Sequence, residues 1–259
     1  DAGVLVRMAL VAAGTVVLGL VVLLVWSVAG FWAFPDLLPR GFSLRLWARE
    51  LDAIGNSLTT TLLIGIPAVV IAVSLVLACL ENEVRTGKVA GRRAMFLIYL
   101  PLLVPQISFM FGLQVFFSLI GLERTLVSVV LGHLVFVAPY VFLSLSEPFR
   151  ALDPRYGQTA LCLGASPTRV FWQVRFPLLT RAVLTAAAVG LAVTVGQYLP
   201  TLLIGAGRFA TVTTEAVALA SGGDRRMIGI YGLFQMVLPF AGFALALLIP
   251  AVLFRHRRG

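Results

Sequence analysis

Few side chains in this 259-residue sequence have the type and setting to do chemistry. Among the polar residues inside long apolar runs, Gln106, His133, Gln197, Tyr198 and Gln235 stand out as five candidates. Those runs contain no Asp, Glu, Lys or Arg, and His133 is their one titratable nitrogen base. A polar group held in hydrocarbon is costly and often functional, so the five are candidates to line a shared translocation path. They could equally hydrogen-bond packed helices to one another. Cys79 and Cys162 have no CxxC partner and no histidine placed to share a metal, so both read as small apolar residues and no metal site is expected. No Gly-x-x-x-x-Gly-Lys-Ser/Thr phosphate loop occurs, so nucleotide hydrolysis is not expected of this chain.

A second concentration of signals lies between residues 153 and 177. Asp153-Pro154 predicts a helix start, with the carboxylate accepting from free backbone N–H groups and proline at the first position, where no donor is wasted. That helix runs through Tyr156, Thr159, Ala160 and Leu163 and meets Gly164. Ser166-Pro167 repeats the start signal, and a second helix over about 167–174 presents Val170, Phe171 and Val174 on one side. Pro177 stands at the mouth of the next apolar run. Two short helices with a glycine corner make a stiff bracket. Read physically, it either rests on lipid headgroups or docks a cytoplasmic partner, and the two capped starts with an apolar ridge favour docking.

The elements that must position these residues follow from composition. The chain is 60% hydrophobic and 12% charged, with a mean hydropathy of +1.01, against about 25% charge in a soluble domain. Six windows lack charge altogether: residues 8–35, 53–80, 94–122, 125–146, 182–207 and 227–254. Each exceeds the roughly 20 residues that a helix needs to cross about 30 Å of hydrocarbon. The runs are continuously apolar (Val16 to Trp26, Ala68 to Leu80, Val183 to Val195) and do not alternate, which excludes a barrel. An all-α integral membrane protein with six transmembrane helices is the expectation. The first window is too long for a signal peptide and lacks a clear cleavage site, so it reads as a retained helix. The chain opens at Asp1 without a methionine, as a trimmed chain or one half of a fusion would.

Within the spans, Gln106 lies about 18 Å from the inner end of its helix, and His133 and Gln235 about 12 Å from the outer ends of theirs. Pro67, Pro101 and Pro105 predict bends. Gly112, Gly190, Gly196 and Gly242 read as places of close helix packing. Outside the spans, Phe34-Pro35-Asp36 and Leu38-Pro39 break the first outer connection, with a short surface helix expected over Ser43 to Leu51. In the last one, Thr213-Thr214-Glu215 leads into a capped helix ending at Ser221-Gly222-Gly223.

The net charge of +9 sorts by side. With both termini inside, the cytoplasmic segments hold thirteen Lys and Arg, including Arg85, Lys88, Arg150, Arg155, Arg169, Arg175, Arg255, Arg257 and Arg258. The outer segments hold seven: Arg40, Arg45, Arg49, Arg124, Arg208, Arg225 and Arg226. Five acids lie inside and six outside, so the inner face is net +8 and the outer +1, as the positive-inside rule requires. These arginines are scattered through short loops with no groove-reading element, which argues against nucleic acid as a partner.

The bracket also carries a resemblance. Gln158-Thr159-Ala160, three residues, Gly164, nine residues, then Val174-x-Phe176-Pro177 resembles the EAA loop of binding-protein-dependent ABC transporter permeases. The family pattern is Glu-Ala-Ala, three residues, Gly, nine residues and Ile-x-Leu-Pro. Spacing matches throughout, Ala160, Gly164 and Pro177 match in identity, and Gln158 stands where the family has Glu. Asn56-Ser57-Leu58-Thr59-Thr60-Thr61-Leu62 is similar to the opening of the family's core domain. The resemblance covers residues 56–254 and implies a division into a first helix with its outer loop (1–55), a permease core (56–254) and a basic cytoplasmic tail (255–259).

What the resemblance implies is a type I importer permease fold in a bacterial inner membrane, with coupling to an ATPase through Gln158, Thr159, Ala160, Gly164, Ser166, Arg169, Gln173 and Pro177. The implied partners are two ATP-binding subunits, a second permease subunit (a copy, a homologue or the other half of a fusion) and a periplasmic substrate-binding protein. No cofactor is expected on this chain, and ATP with Mg belongs to the partner ATPase. The segment Pro200 to Gly229 looks most like thiamine- and iron-type permeases, with polyamine- and sulfate-type subgroups close by. With no acid in the spans, a cationic substrate would be recognised by aromatics, dipoles or the binding protein. The alternative from another class is a secondary transporter or half of one. It predicts an intramembrane Asp or Glu and inverted repeats, and the sequence has neither. A non-transporting scaffold leaves the glycine-cornered loop unexplained.

Overall fold

A computed structural model describes residues 2–30, 32, 39 and 41–253. The basic tail from Arg255 and, in the first outer loop, Phe34, Pro35, Asp36, Leu38 and Arg40 lie outside the described residues. The helices are α1 (Ala2–Val28), α2 (Arg45–Thr86), α3 (Arg92–Leu103), α4 (Gln106–Leu119), α5 (Leu126–Arg150), α6 (Pro154–Cys162), α7 (Pro167–Val170), α8 (Phe176–Gly196), α9 (Tyr198–Gly205), α10 (Val212–Gly222) and α11 (Arg225–Leu253), with a π-helical turn at Phe171–Arg175. Among the described residues the β-structure is a single antiparallel bridge, Ala29 with Phe42. Five helical segments are long and apolar enough to cross a membrane, and α3 with α4 makes a sixth if the bent pair is one span.

The bend in that pair is 108°. Pro105 follows Val104, whose backbone is extended, because a residue before proline is pushed out of the helical region. Two other expectations change. Arg45–Leu51 is no separate surface helix: α2 runs unbroken for 42 residues through Gly55, Asn56 and Pro67, about 63 Å at 1.5 Å per residue. Nothing between Ser43 and the apolar run stops a helix, so the polar start simply extends it. The fifth window, in turn, is two helices. It breaks at Gln197, whose φ/ψ of −80°/94° leaves the helical region, and Pro200 lies inside α9.

The chain forms two compact units. One comprises Asp1–Thr61 and Ala210–Val237. Within it, Trp47 Nε1 donates to the Ser27 carbonyl at 2.8 Å, and the Trp47 ring meets Phe234 at 5.7 Å. α11 crosses α1 at Gly229, where any Cβ would come within 2.5 Å of the Ser27 nitrogen. α10 starts at the Thr211 cap, two residues earlier than Thr213, through a reciprocal box with Thr214, and it ends at Gly223 in the left-handed region. The Val212 N–H donates to Thr61 Oγ1 at 3.0 Å.

The other unit comprises Leu62–Phe209 and Leu238–Gly259. Its first apolar core joins α2, α5, α8 and the π turn through Leu77, Leu80, Val141, Phe142, Phe171 and Leu179. Its second joins α2, α4, α5 and α9 through Ile64, Met110, Phe117, Val129 and Ile204. Gly190 serves close packing as expected, with Val141, Val137 and Val69 at 3.1–3.2 Å from an added Cβ, and so does Gly242 against Leu191. Gly112 and Gly196 do not: a Cβ there would meet open space. Gly196 instead closes α8 just before the break at Gln197.

Candidate coupling site

The bracket between α5 and α8 is built by its caps. The Asp153 carboxylate accepts the Arg155 N–H at 2.9 Å, and Ser166 Oγ accepts the Arg169 N–H at 3.4 Å. Between them the chain turns at Gly164, φ +84°, a left-handed conformation that favours glycine. Gln158, Thr159, Arg169 and Gln173 are exposed, Ala160 and Pro177 half-buried, and Arg169 Nε donates to Gln173 Oε1 at 2.9 Å. Ser166 and Pro177 therefore shape the bracket, while Gln158, Thr159, Arg169 and Gln173 form part of its outer surface.

The apolar ridge lies elsewhere than expected. Val170 and Phe171 are buried, and Val174 is half-buried. Phe171 sits in the core with Leu77 and Leu80. The reason is that α7 does not end before the span. It passes through one π turn straight into α8, so the 167–174 face that looked like a free ridge is the inward face of a continuous helix. The apolar side chains that do face outward are Tyr156, Leu161, Leu163 and Trp172, with Leu163 83% exposed.

Behind the bracket lies an ion-pair group that the sequence reading left among the loop charges. Glu81 and Glu83 are buried in the last two turns of α2. Arg175 Nη1 donates to Glu81 Oε2 at 2.7 Å, and Arg85 Nε to Glu81 Oε1 at 2.8 Å. Arg150 is forked onto Glu83, with Nε to Oε2 at 3.1 Å and Nη2 to Oε1 at 3.0 Å. The Ala90 N–H completes Glu83 at 2.9 Å. The available signal was that two acids close an apolar helix while two arginines stand at the ends of the bracket.

In the second core a polar bridge holds α9. His133 Nε2 lies 2.8 Å from Thr201 Oγ1, and the Thr201 hydroxyl donates to the Gln197 carbonyl at 2.9 Å. Having spent its proton there, Thr201 accepts from His133, so Nε2 carries the hydrogen. Gln197 Nε2 donates to the His133 carbonyl at 3.4 Å, and Gln114 Nε2 of α4 donates to the Leu203 carbonyl at 2.5 Å. Among the described residues, His133 Nδ1, Gln197 Oε1 and Thr194 Oγ1 are buried with no hydrogen-bond partner. Of the five polar candidates, the structure thus joins His133 and Gln197 and seals them from solvent. Gln106, first residue of α4, and Tyr198, first of α9, are half-buried and not bonded to this bridge. Gln235, also half-buried, belongs to the other compact unit.

A sequence profile described as the inner membrane component of binding-protein-dependent transport systems matches residues 46–256. The chain belongs to this permease family. Among its relatives, an Escherichia coli (strain K12) protein described as an inner membrane ABC transporter permease, YnjC, is 38% identical over 198 residues, or 76% of this chain and 37% of its own length. The chain therefore spans little more than a third of that relative. A Salmonella typhimurium (strain LT2) protein, described as a putative 2-aminoethylphosphonate transport system permease, PhnV, is 28% identical over 80% of this chain and 78% of its own. The Escherichia coli (strain K12) putrescine transport system permease PotI is 28% identical over 56% and 55%. As a member of this family the chain is a multi-pass membrane permease subunit. The bracket of this permease is residues 153–177, and Gln114 and Thr201 are further polar residues beside His133 and Gln197 that their residue types alone do not single out.

Proposed function

We propose that this permease is the membrane-spanning subunit of a bacterial ABC importer in the inner membrane, with both termini in the cytoplasm. A separate ATP-binding subunit docks on the bracket, a second permease domain completes the pathway, and a periplasmic binding protein delivers substrate. ATP and Mg are held by the ATPase pair, and this chain supplies rigid-body coupling. The observation that carries the reading is the outward apolar surface of Tyr156, Leu161, Leu163 and Trp172 on a bracket stiffened by two caps and a glycine corner. Large apolar side chains exposed on one short bracket together with Gln158, Arg169 and Gln173 suit a protein interface.

The relatives named for putrescine and 2-aminoethylphosphonate favour a small aminoalkyl substrate, and the polyamine subgroup was among those expected from the sequence. The sealing of His133 and Gln197 favours a positioning role for them, which leaves the half-buried Gln106, Tyr198 and Gln235 as pathway residues. The test of coupling uses Gly164→Val, which places a β-branched residue at φ +84°, a strain of about 1–2 kcal/mol. In proteoliposomes the variant should hydrolyse ATP while its import falls. Deleting residues 158–176 should abolish co-purification of the ATPase. Normal import by the first variant, or undiminished assembly after the deletion, overturns the assignment.

A further inference from the structure

Arg150 is the last residue of α5 and Arg175 the last of the π turn, so the two arginines stand at the entry and exit of the bracket. Both reach the same place: Arg150 binds Glu83 and Arg175 binds Glu81, two residues apart near the inner end of α2. α2 is not joined to the bracket by chain, being 64 residues upstream of Arg150 at its last residue, Thr86. Its attachment there combines the apolar contact of Leu77 and Leu80 with Phe171 and these two ion pairs. A cavity of about 300 Å³ bordered by Glu83, Phe149, Arg150, Gly157 and Arg175 separates that side of the bracket from close packing. Gly157 of α6 has no side chain where the Arg175 guanidinium passes, and a Cβ there would stand 3.0 Å from Nη2.

These pairs differ from solvent-exposed ones, which add little. The Glu81 and Glu83 side chains are 9% and 8% exposed and Arg175 is 14% exposed, while Arg150 reaches Glu83 from a side chain 37% exposed. Removing either arginine leaves a carboxylate inside a poorly solvated site with a missing partner.

We propose that Glu81, Glu83, Arg150 and Arg175 are positioning residues that clamp both ends of the bracket to α2, so that displacement of the bracket carries the 42-residue helix with it. This rests on the coupling role of the bracket argued above. If the apolar contacts of Phe171 with Leu77 and Leu80 were sufficient to hold α2 to the bracket, the four charges would be dispensable for coupling.

The experiment labels Val70→Cys on the exposed face of α2 and Leu163→Cys at the bracket tip with nitroxides, in a Cys79→Ser, Cys162→Ser background. The full transporter with its ATP-binding subunits is measured by pulsed electron–electron resonance without nucleotide and after trapping with ATP and vanadate. In the otherwise native chain the 70–163 distance distribution should stay narrow and unchanged on trapping. In Arg150→Gln/Arg175→Gln it should broaden and shift by several ångströms on trapping, and Arg150→Lys/Arg175→Lys should restore the native pattern. If the glutamine double variant does not accumulate, Glu81→Gln/Glu83→Gln makes the same comparison from the other side of each pair. A 70–163 distance that changes in the native chain, or one that stays fixed in the charge-neutralised variant, overturns the clamp. Co-purification of the ATPase with each variant is scored in parallel. Retained ATPase with a native bracket that moves independently of α2, or a neutralised one that does not, defeats the clamp alone, whereas an ATPase that assembles without the bracket defeats the coupling reading itself.

Discussion

Thr201 uses one hydroxyl for two bonds, accepting from His133 and donating to Gln197 across the break between α8 and α9. Seven residues earlier, Thr194 buries a hydroxyl with no partner among the described residues. Replacing both by valine, an isosteric change, separates the two situations. Thr201→Val should cost about 1 kcal/mol, at the upper part of the range for interhelical bonds in membrane proteins, and lower the melting temperature in detergent. Thr194→Val removes an unpaired buried group and should leave the melting temperature unchanged or raise it. Equal losses in both variants would show that the bridge adds no stability. The sequence marked His133 and Gln197 as polar residues in apolar runs, and this much was legible because charge and polarity are local properties. It could not choose between pathway and bridge, because that depends on which helix faces them. Thr201 escaped notice for a related reason: threonine is ordinary in membrane helices, and only the fold brings it beside an imidazole.

At the scale of elements, length and apolarity located five of the spans, and the proline pair at Pro101 and Pro105 marked the one that bends. Three features were hidden: the 42-residue run of α2, the break at Gln197, and the merging of α7 into α8. Each turns on tertiary packing overriding a boundary signal that is weak in the chain itself. Gly55 and Pro67 sit inside α2 without ending it, whereas at Gln197 the helix does break, between Gly196 and Pro200, whose ring excludes the Gly196 carbonyl from a helical bond. The caps at Asp153, Ser166 and Gly164 fared better because a cap is chemistry within a few residues. The α1–α11 crossing offers a test at this scale. Gly229 lies so close to the backbone of α1 that a Cβ would stand 2.8 Å from Trp26 Cβ and 2.9 Å from the Leu23 carbonyl oxygen. Backbone atoms cannot step aside as a flexible side chain can, so Gly229→Val must move a helix, at about 1–3 kcal/mol. The movement should disturb the Trp47 bond to Ser27 and shift tryptophan emission to the red. Native emission and an unchanged melting temperature in Gly229→Val would argue that the two helices do not cross there.

For the molecule as a whole, the orientation proposed above gives the inner segments net +8 and the outer +1, and with it the bracket would stand in the cytoplasm, as the positive-inside rule expects. The chain supplies its own reporter of this arrangement. Cys162, the last residue of α6, is exposed on the bracket, and Cys79 is half-buried near the inner end of α2. In a Cys79→Ser background, a membrane-impermeant maleimide should therefore label Cys162 in inverted membrane vesicles and not in right-side-out ones. The exposed side chains Leu161 and Leu163 flank Cys162 on either side, so a subunit seated on that surface must cover the thiol as well. Saturating inverted vesicles with the purified ATP-binding subunit should slow the labelling about tenfold or more, in proportion to the fraction of sites occupied. Labelling from the outside would reverse the orientation. Labelling from the inside that is indifferent to the ATPase would keep the orientation and move the docking surface away from the bracket.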